Sequence, residues 1–389
     1  MESPADSTWQ GYSLAERDRR WAAVRKNAAE AGLDGVFVPL GNGSDARYLT
    51  EQAAASVVLP TDGRAPIGVS DRGGHTPWVS DIRTANRAWA EPMAHALLDL
   101  GMERARIGVS GLKGGKVSHV RNPDGVVDYS AYAEVQRRLP NATFEDATDI
   151  VGFARYVKGE EEVACLRHAA AIGEVGIEEM AELARPGMDA AVLYARVMGR
   201  MLDIGSEYYP LAFYCAPLGE EAARNTDPPL GMRLRLGDYI TNETSPVWGG
   251  QVAQEDQPIL VGPIPDAFKP LIDLQREVWE AGLAMMKPGL TFGELLDFVE
   301  AFGKQHDVAT SVTMHGRGIG DDNGPLITPR AAGEAIRGLR MEAGNVWIWK
   351  PSTHSPDGKL TFQWGGDVLV TDHGGERLFK RPHACISVQ

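Results

Sequence analysis

One order of elements occurs twice in the second half of the chain, and it narrows the fold more than any other feature. Residues Gly159–Leu183 read as a helix whose acidic first turn, Glu160, Glu161 and Glu162, suits the positive end of a helix dipole. The turn Arg185-Pro-Gly-Met-Asp189 follows, then a second helix from Ala190 to about Ile204 and an aromatic strand, Tyr208–Tyr214. About a hundred residues later the order returns: a helix over Pro263–Met286, the turn Lys287-Pro-Gly-Leu-Thr291, a helix over Phe292–His306, and a β run into His315. In each copy Pro-Gly ends one helix and an Asp or Thr is placed to cap the next. A duplicated unit of this kind is expected to build a pseudo-twofold sheet with helices outside and a site in the middle.

The first half has a different texture. An amphipathic helix over 14–33 is followed by the apolar strand Gly35–Leu40. Strand-like Val57–Pro60 and Ala65–Ser70, a helix near Thr84–Leu100 and the strand Arg106–Ser110 come next, the alternation of an α/β domain. We therefore expect a domain over 1–150 and a second over 151–389. The net charge of -14 argues against nucleic acid or an anionic membrane as partner. No apolar run is long enough to span a bilayer, and the acidic start lacks the features of a secretory signal. Cys165, Cys215 and Cys385 are odd in number, widely spaced and without metal-like spacing, which fits a reducing cytoplasm.

From about residue 158 to 380 the chain resembles the pita-bread family (M24) of creatinases, aminopeptidases P and methionine aminopeptidases. The two Pro-Gly junctions carry the resemblance, with Gly237-Asp-Tyr-Ile-Thr-Asn-Glu243, the His315-Gly turn, Glu342–Pro351 and Gly366-Asp-Val-Leu-Val-Thr371. It implies an α+β pita-bread C-terminal domain behind a smaller creatinase-type α/β domain, in which Asn42–Thr50 matches the Asn…Tyr-Leu-Thr element. It also implies a homodimer whose N-terminal domain reaches the partner's site, so that Arg83 and the loops near Arg64 would meet substrate there. For Arg83 a surface pair with Asp81 or Glu91 is the simpler reading.

Peptidases of this family hold two divalent metals with two Asp, one His and two Glu. Carried over in order, those positions fall on Glu243, Gln254, His315, Lys350 and Gly366, beside Asp367. Only the His is unchanged. An amide, an ammonium and a bare backbone stand where bridging carboxylates should offset the cations. A slip bringing in Glu255 or Asp256 would still leave Lys350 and Gly366 unmatched, so we expect no metal and no other cofactor.

Glu243, Gln254, His315 and Lys350 should share one pocket. Lys350 would then take the place of the lost cations and polarise a carbonyl or amidine beside Glu243, while His315 moves protons. As a metal-free member, creatinase implies that the fold can hydrolyse a C–N bond in this way. Its catalytic His has no counterpart in Ala223–Pro228, where Asn225 and Thr226 stand, so creatine itself is not expected as substrate. The plainer readings are a Glu243–Lys350 pair that only neutralises the vacated site and a core His315 bonded to a carbonyl. Arg317 would clamp a substrate carboxylate or pair locally with Asp321 or Asp322; Tyr214 and Trp364 are the aromatics expected in the pocket. The expectation is a metal-independent, cytoplasmic hydrolase of a small molecule. A metal-dependent Xaa-Pro aminopeptidase-like peptidase or lyase and a non-catalytic binding protein are the alternatives.

Overall fold

The computed structural model describes residues 8–118, 120, 123–221, 224–225, 228–320, 323–328 and 333–389. The chain divides into two compact units, one formed by Gln10–Glu161 with the segment around Ile319 and Pro325, the other by Glu162–Gly318 and Leu326–Gln389 with Trp9.

In the first unit, helix α1 (Leu14–Glu30) precedes β1 (Gly35–Val38), α2 (Gly43–Thr50), β2 (Ser56–Pro60), β3 (Ile67–Ser70) and β4 (Asp81–Thr84). Helix α3 (Ala90–Asp99), β5 (Arg106–Val109), α4 (Tyr129–Arg138), β6 (Thr143–Asp146) and α5 (Thr148–Tyr156) complete it. The strands lie in the order β4-β3-β2-β1-β5-β6, with β1 antiparallel to β2 and parallel to β5. Phe37, Val58, Met93, Leu97, Ile107 and Val109 form the core between this sheet and its helices. The single helix expected over Thr84–Leu100 begins only at Ala90, because Ile82 to Thr84 extend the sheet edge beside β3.

After α5 the chain runs from α6 (Glu160–Leu183) through α7 (Ala190–Asp203), β7 (Ala212–Pro217), β8 (Arg224–Asn225), β9 (Asp238–Glu243), β10 (Val247–Trp248), β11 (Gln251–Val252), β12 (Glu255–Asp256) and β13 (Ile259–Val261). There follow α8 (Lys269–Met285), α9 (Phe292–His306), β14 (Ala309–Gly316), β15 (Gly318–Ile319), β16 (Asn323–Ile327) and α10 (Glu334–Arg337). Strands β17 (Val346–His354), β18 (Thr361–Gln363), β19 (Gly365–Thr371), β20 (Gly374–Arg377) and β21 (Ile386–Val388) end the chain. Each copy of the duplicated unit supplies a sheet. One has the order β21-β13-β9-β7-β8; in the other β12, β19, β17 and β14 lie side by side. No helix among the described residues is long and apolar enough to cross a membrane.

Both Pro-Gly junctions do what their residues dictate. The Asp189 carboxylate accepts from the Ala191 amide at the start of α7, and Thr291 and Glu294 form a reciprocal capping box on α9. Helix α8 begins later than expected, at Lys269-Pro270, where a proline in the first turn is tolerated.

Along β17, alternation sorts side chains onto two faces. Trp347 and Trp349 point to the helices. Trp347 meets Phe292 of α9 edge-on at 5.0 Å. Trp349 and Trp279 of α8 exchange indole hydrogen bonds with each other's carbonyls at 3.1 and 3.0 Å. The opposite face carries Lys350, Ser352 and His354, so fixing the tryptophans under the helices fixes the polar row above. Thr291→Ala removes the capping box that starts α9 beneath this sheet, and we expect a loss of about 1 kcal/mol in equilibrium urea unfolding.

Candidate active site

The registers of the second sheet place a set of polar groups on its non-helical face. Thr313 pairs with Lys350, Ser352 with Gln363, and Asp256 with Gly365. Lys350 is only 1% exposed, so its charge needs partners. Its Nζ donates to Glu243 Oε1 at 3.0 Å and lies 3.4 Å from Asp256 Oδ2. Burial works against the ammonium, but Asp256 and Glu243 outweigh it and raise the Lys350 pKa above the ordinary lysine value. Asp256 is held on both oxygens, by the amide of Gln254 at 3.0 Å and that of Gln363 at 3.0 Å. Ser352 in turn donates to the Gln363 carbonyl at 3.1 Å.

Glu243 and Asp256 stand in the wall of a cavity of about 680 Å³, with Tyr214, Thr241, Thr361 and Gln363 among its other lining residues. Glu243 is the more open of the two carboxylates, with 29% of its side chain exposed against 6% for Asp256. Glu243 therefore meets whatever enters, and Lys350 stands one hydrogen bond behind it.

Two further charged groups are buried against this sheet. Arg381 ties β12 to β19: Nε donates to Glu255 Oε2 at 2.6 Å, Nη1 to the Asp256 carbonyl at 3.3 Å and Gln257 Oε1 at 2.7 Å, and Nη2 to the Gly365 carbonyl. Burial pushes Glu255 up to about 8, Arg381 opposing and Glu174 adding to the rise. Asp367 accepts from the backbone N–H of Gln254 at 3.1 Å, while its other oxygen is buried without a hydrogen-bond partner among the described residues. Burial pushes its carboxyl up to about 7, and the Arg317 guanidinium offsets only part of that.

The sequence-derived candidates separate on this geometry. Glu243 and Lys350 come together, Gln254 reaches them through Asp256, and Tyr214 lines the cavity. His315 is buried, its Nδ1 lies 3.4 Å from the Gly316 carbonyl, and it is not among the described lining residues. Arg317, fully buried, donates to the carbonyls of Val252 at 3.2 Å and Ala253 at 2.8 Å instead of facing substrate. Its expected partners Asp321 and Asp322 lie outside the described residues.

Trp364 does not reach the pocket. One residue past Gln363, it points to the helical face, stacked on His383 at 3.9 Å and edge-on to Trp279 at 5.1 Å. Arg83, on β4 of the first unit, pairs with Asp81 and Asp99. Asn225 is described only as backbone opposite Phe213, and Thr226 lies outside the described residues.

The register also moves the last family position by one residue. Gly366 pairs with Trp349 and Glu255, which puts it on the helical face, and a Cβ there would fall 2.0 Å from the Phe379 ring. Gly365 lies on the cavity face beside Lys350. A Cβ at Gly365 would come within 2.5 Å of Lys350 Cβ and 2.7 Å of the Trp349 carbonyl oxygen, so the missing side chain makes room for the lysine.

A model of Metallopeptidase family M24 matches residues 164–372. The chain belongs to that family. It is 22% identical over 401 residues to the creatinase of Bacillus sp. (strain B-0618), covering 95% of this chain and 92% of that protein. The M24 pita-bread fold is also that of the Xaa-Pro dipeptidase from Bacillus anthracis (TM-score 0.75, 18% identity, 96% of this chain and 100% of that one). An X-Pro aminopeptidase from Thermotoga maritima superposes with a TM-score of 0.74 at 18% identity, over 95% and 99% of the two chains.

The M24 name implies a metal, and the residues present do not fit a pair of divalent ions. Lys350 places an ammonium between the two carboxylates and Gly365 offers no donor. Among the described residues no group of three or more His, Cys, Asp and Glu side chains is placed to hold a metal.

Two substitutions check this geometry. Gly365→Ala is expected to cost about 1–3 kcal/mol in urea unfolding by crowding Lys350. Asp367→Asn keeps an acceptor for the Gln254 backbone N–H but removes a buried acid. In the parent, Asp367 holds its proton up to about pH 7, whereas in the unfolded chain it is released near pH 4, about the ordinary aspartate value. The native state binds the extra proton in that window, so this group's contribution makes stability fall as pH rises through it. The Asn variant should therefore gain on the parent from about pH 4 to about pH 7 and keep its advantage above, as read by urea unfolding across that range.

Proposed function

We propose that this M24 protein is a metal-independent hydrolase that cleaves a C–N bond, of the amide or amidine type, in a small molecule. Its family and its creatinase and dipeptidase relatives support a hydrolase. The observation that carries the metal-independent reading is the Lys350 ammonium, 3.0 Å from Glu243 and 3.4 Å from Asp256 at the cavity wall. A fixed charge there serves the electrostatic purpose of a cation without an exchangeable ion.

The division of work follows from exposure. Glu243, the open carboxylate, accepts hydrogen bonds from the N–H groups of an amide or amidine and holds the scissile carbon against the wall. Lys350 anchors Glu243 and Asp256 and biases the local field toward the negative charge that develops when water adds to that carbon. Gln254 and Gln363 keep Asp256 from turning away. His315, buried off the cavity, is not given the proton transfer that its position in the sequence suggested.

The test is turnover of a panel of amides, amidines, creatine and Xaa-Pro dipeptides by the parent and by Lys350→Met and Glu243→Gln. We expect one of the amides or amidines to be hydrolysed, with kcat lowered about 10²–10³-fold in Lys350→Met. That variant should also lose about 3–5 kcal/mol of stability, because Asp256 is left buried without its counter-charge. Full activity in Lys350→Met, or hydrolysis only after a divalent metal is added, would contradict the proposal.

A further inference from the structure

The polar face that carries Lys350 continues past Ser352 and Gln363 to a second cluster. His354 pairs in register with Thr361 across the β17–β18 hairpin. Its Nδ1 lies 2.9 Å from Thr361 Oγ1, and its Nε2 lies 2.9 Å from Ser311 Oγ on β14. Thr361 lines the same cavity as Glu243, Asp256 and Gln363. The step from Gln363 to Thr361 along β18 is about 7 Å, which leaves room for a small molecule against both clusters.

Resting on the hydrolase reading above, we propose that Thr361, His354 and Ser311 form the proton relay of this site, with Thr361 as the catalytic residue at the cavity and His354 positioned behind it to take the proton. The arrangement is that of a hydroxyl, a base and a third group orienting the base. A neutral imidazole carries one N–H, and its tautomer is set by what the other nitrogen bonds. With the proton on Nε2, His354 donates to Ser311 Oγ and its Nδ1 accepts from the Thr361 hydroxyl.

The transfer then balances. A cavity water gives one proton to Thr361 Oγ1 as its oxygen forms the bond to the scissile carbon, and Thr361 passes its own hydroxyl proton to Nδ1. His354 becomes an imidazolium with both N–H groups engaged and Thr361 is unchanged. The proton returns by the same path to the departing nitrogen as the C–N bond breaks, restoring the neutral imidazole.

The surroundings suit a neutral acceptor. Burial, the only cause acting on it, lowers the His354 pKa below the ordinary imidazole value. The titratable side chains on the paired strands β14, β17 and β18 and on the turn between β17 and β18 are His315, Lys350, Asp357 and Lys359. His315 lacks this connection to the cavity among the described lining residues.

The experiment has two arms. In the first, full-length protein labelled with ¹⁵N-histidine is studied without substrate by long-range ¹H–¹⁵N correlation, His354→Gln identifying the signal. The expected result is a neutral ring with the proton on Nε2, and a change in the Nδ1 shift in Thr361→Val. A proton on Nδ1, or an Nδ1 signal unmoved in Thr361→Val, overturns the relay.

In the second arm, on the amide or amidine that the panel identifies, Thr361→Val is expected to lower kcat about 10²-fold with KM nearly unchanged. Thr361→Ser, which keeps the hydroxyl, should recover most of the loss, and added imidazole should restore part of the rate to a folded His354→Ala. Undiminished kcat in Thr361→Val overturns the relay. Absence of any turnover by the parent fails the hydrolase reading instead, and the first arm still decides the relay.

Discussion

The Lys350 ammonium, buried between Glu243 and Asp256, is the interaction on which the cavity wall depends. Burying a lysine is unfavourable unless opposite charge is placed within reach, and here Asp256 and Glu243 outweigh the burial and raise its pKa. The neighbouring choices follow from that requirement. Gly365 leaves the volume that the lysine stem occupies, Gln254 and Gln363 hold Asp256 from both sides, and Arg381 binds the strand of Asp256 to that of Gly365. A metal-ligating wall needs negative donors that converge on an empty centre; this wall has filled its centre with its own cation.

The sheet makes the arrangement rigid through its other face. Trp279, Trp347, Trp349 and Trp364 are all 1% exposed or less, packed by α8, α9 and one another. Each is worth on the order of 2–3 kcal/mol of burial. The indoles of Trp279, Trp349 and Trp364 spend their N–H groups on carbonyls and on Gln257, so they cannot turn toward the cavity. The period-two alternation of the strands then leaves Lys350, Ser352, His354, Thr361 and Gln363 on the cavity side.

Much of this was legible in the sequence. The duplicated Pro-Gly junctions and the ordered motifs gave the fold, and the loss of carboxylates at family positions gave the Lys350–Glu243 pair. What the sequence hid was which face each strand residue takes. Trp364 was expected in the pocket and lies on the helical side, and the last family position was placed at Gly366 when the cavity-facing residue is Gly365. In both cases a shift of one residue exchanges faces.

Asp256 was passed over because Gln254 holds the aligned position, although the two sit on one face and bond to each other. The polar alternation Lys350, Ser352, His354 that follows Trp347 and Trp349 on one strand was the available signal for the second cluster. The partners of His354 come from β14 and β18, so only the register could join them.

The central claim is that a lysine stands where the family's cations would be bound, and metal content tests it most directly. Protein purified without chelator, analysed by inductively coupled plasma mass spectrometry, should contain no stoichiometric divalent metal, and its activity should be unchanged by EDTA or by added manganese. One or more equivalents of Mn, Fe, Co or Zn per chain, with activity lost to EDTA and returned by the metal, would contradict the account.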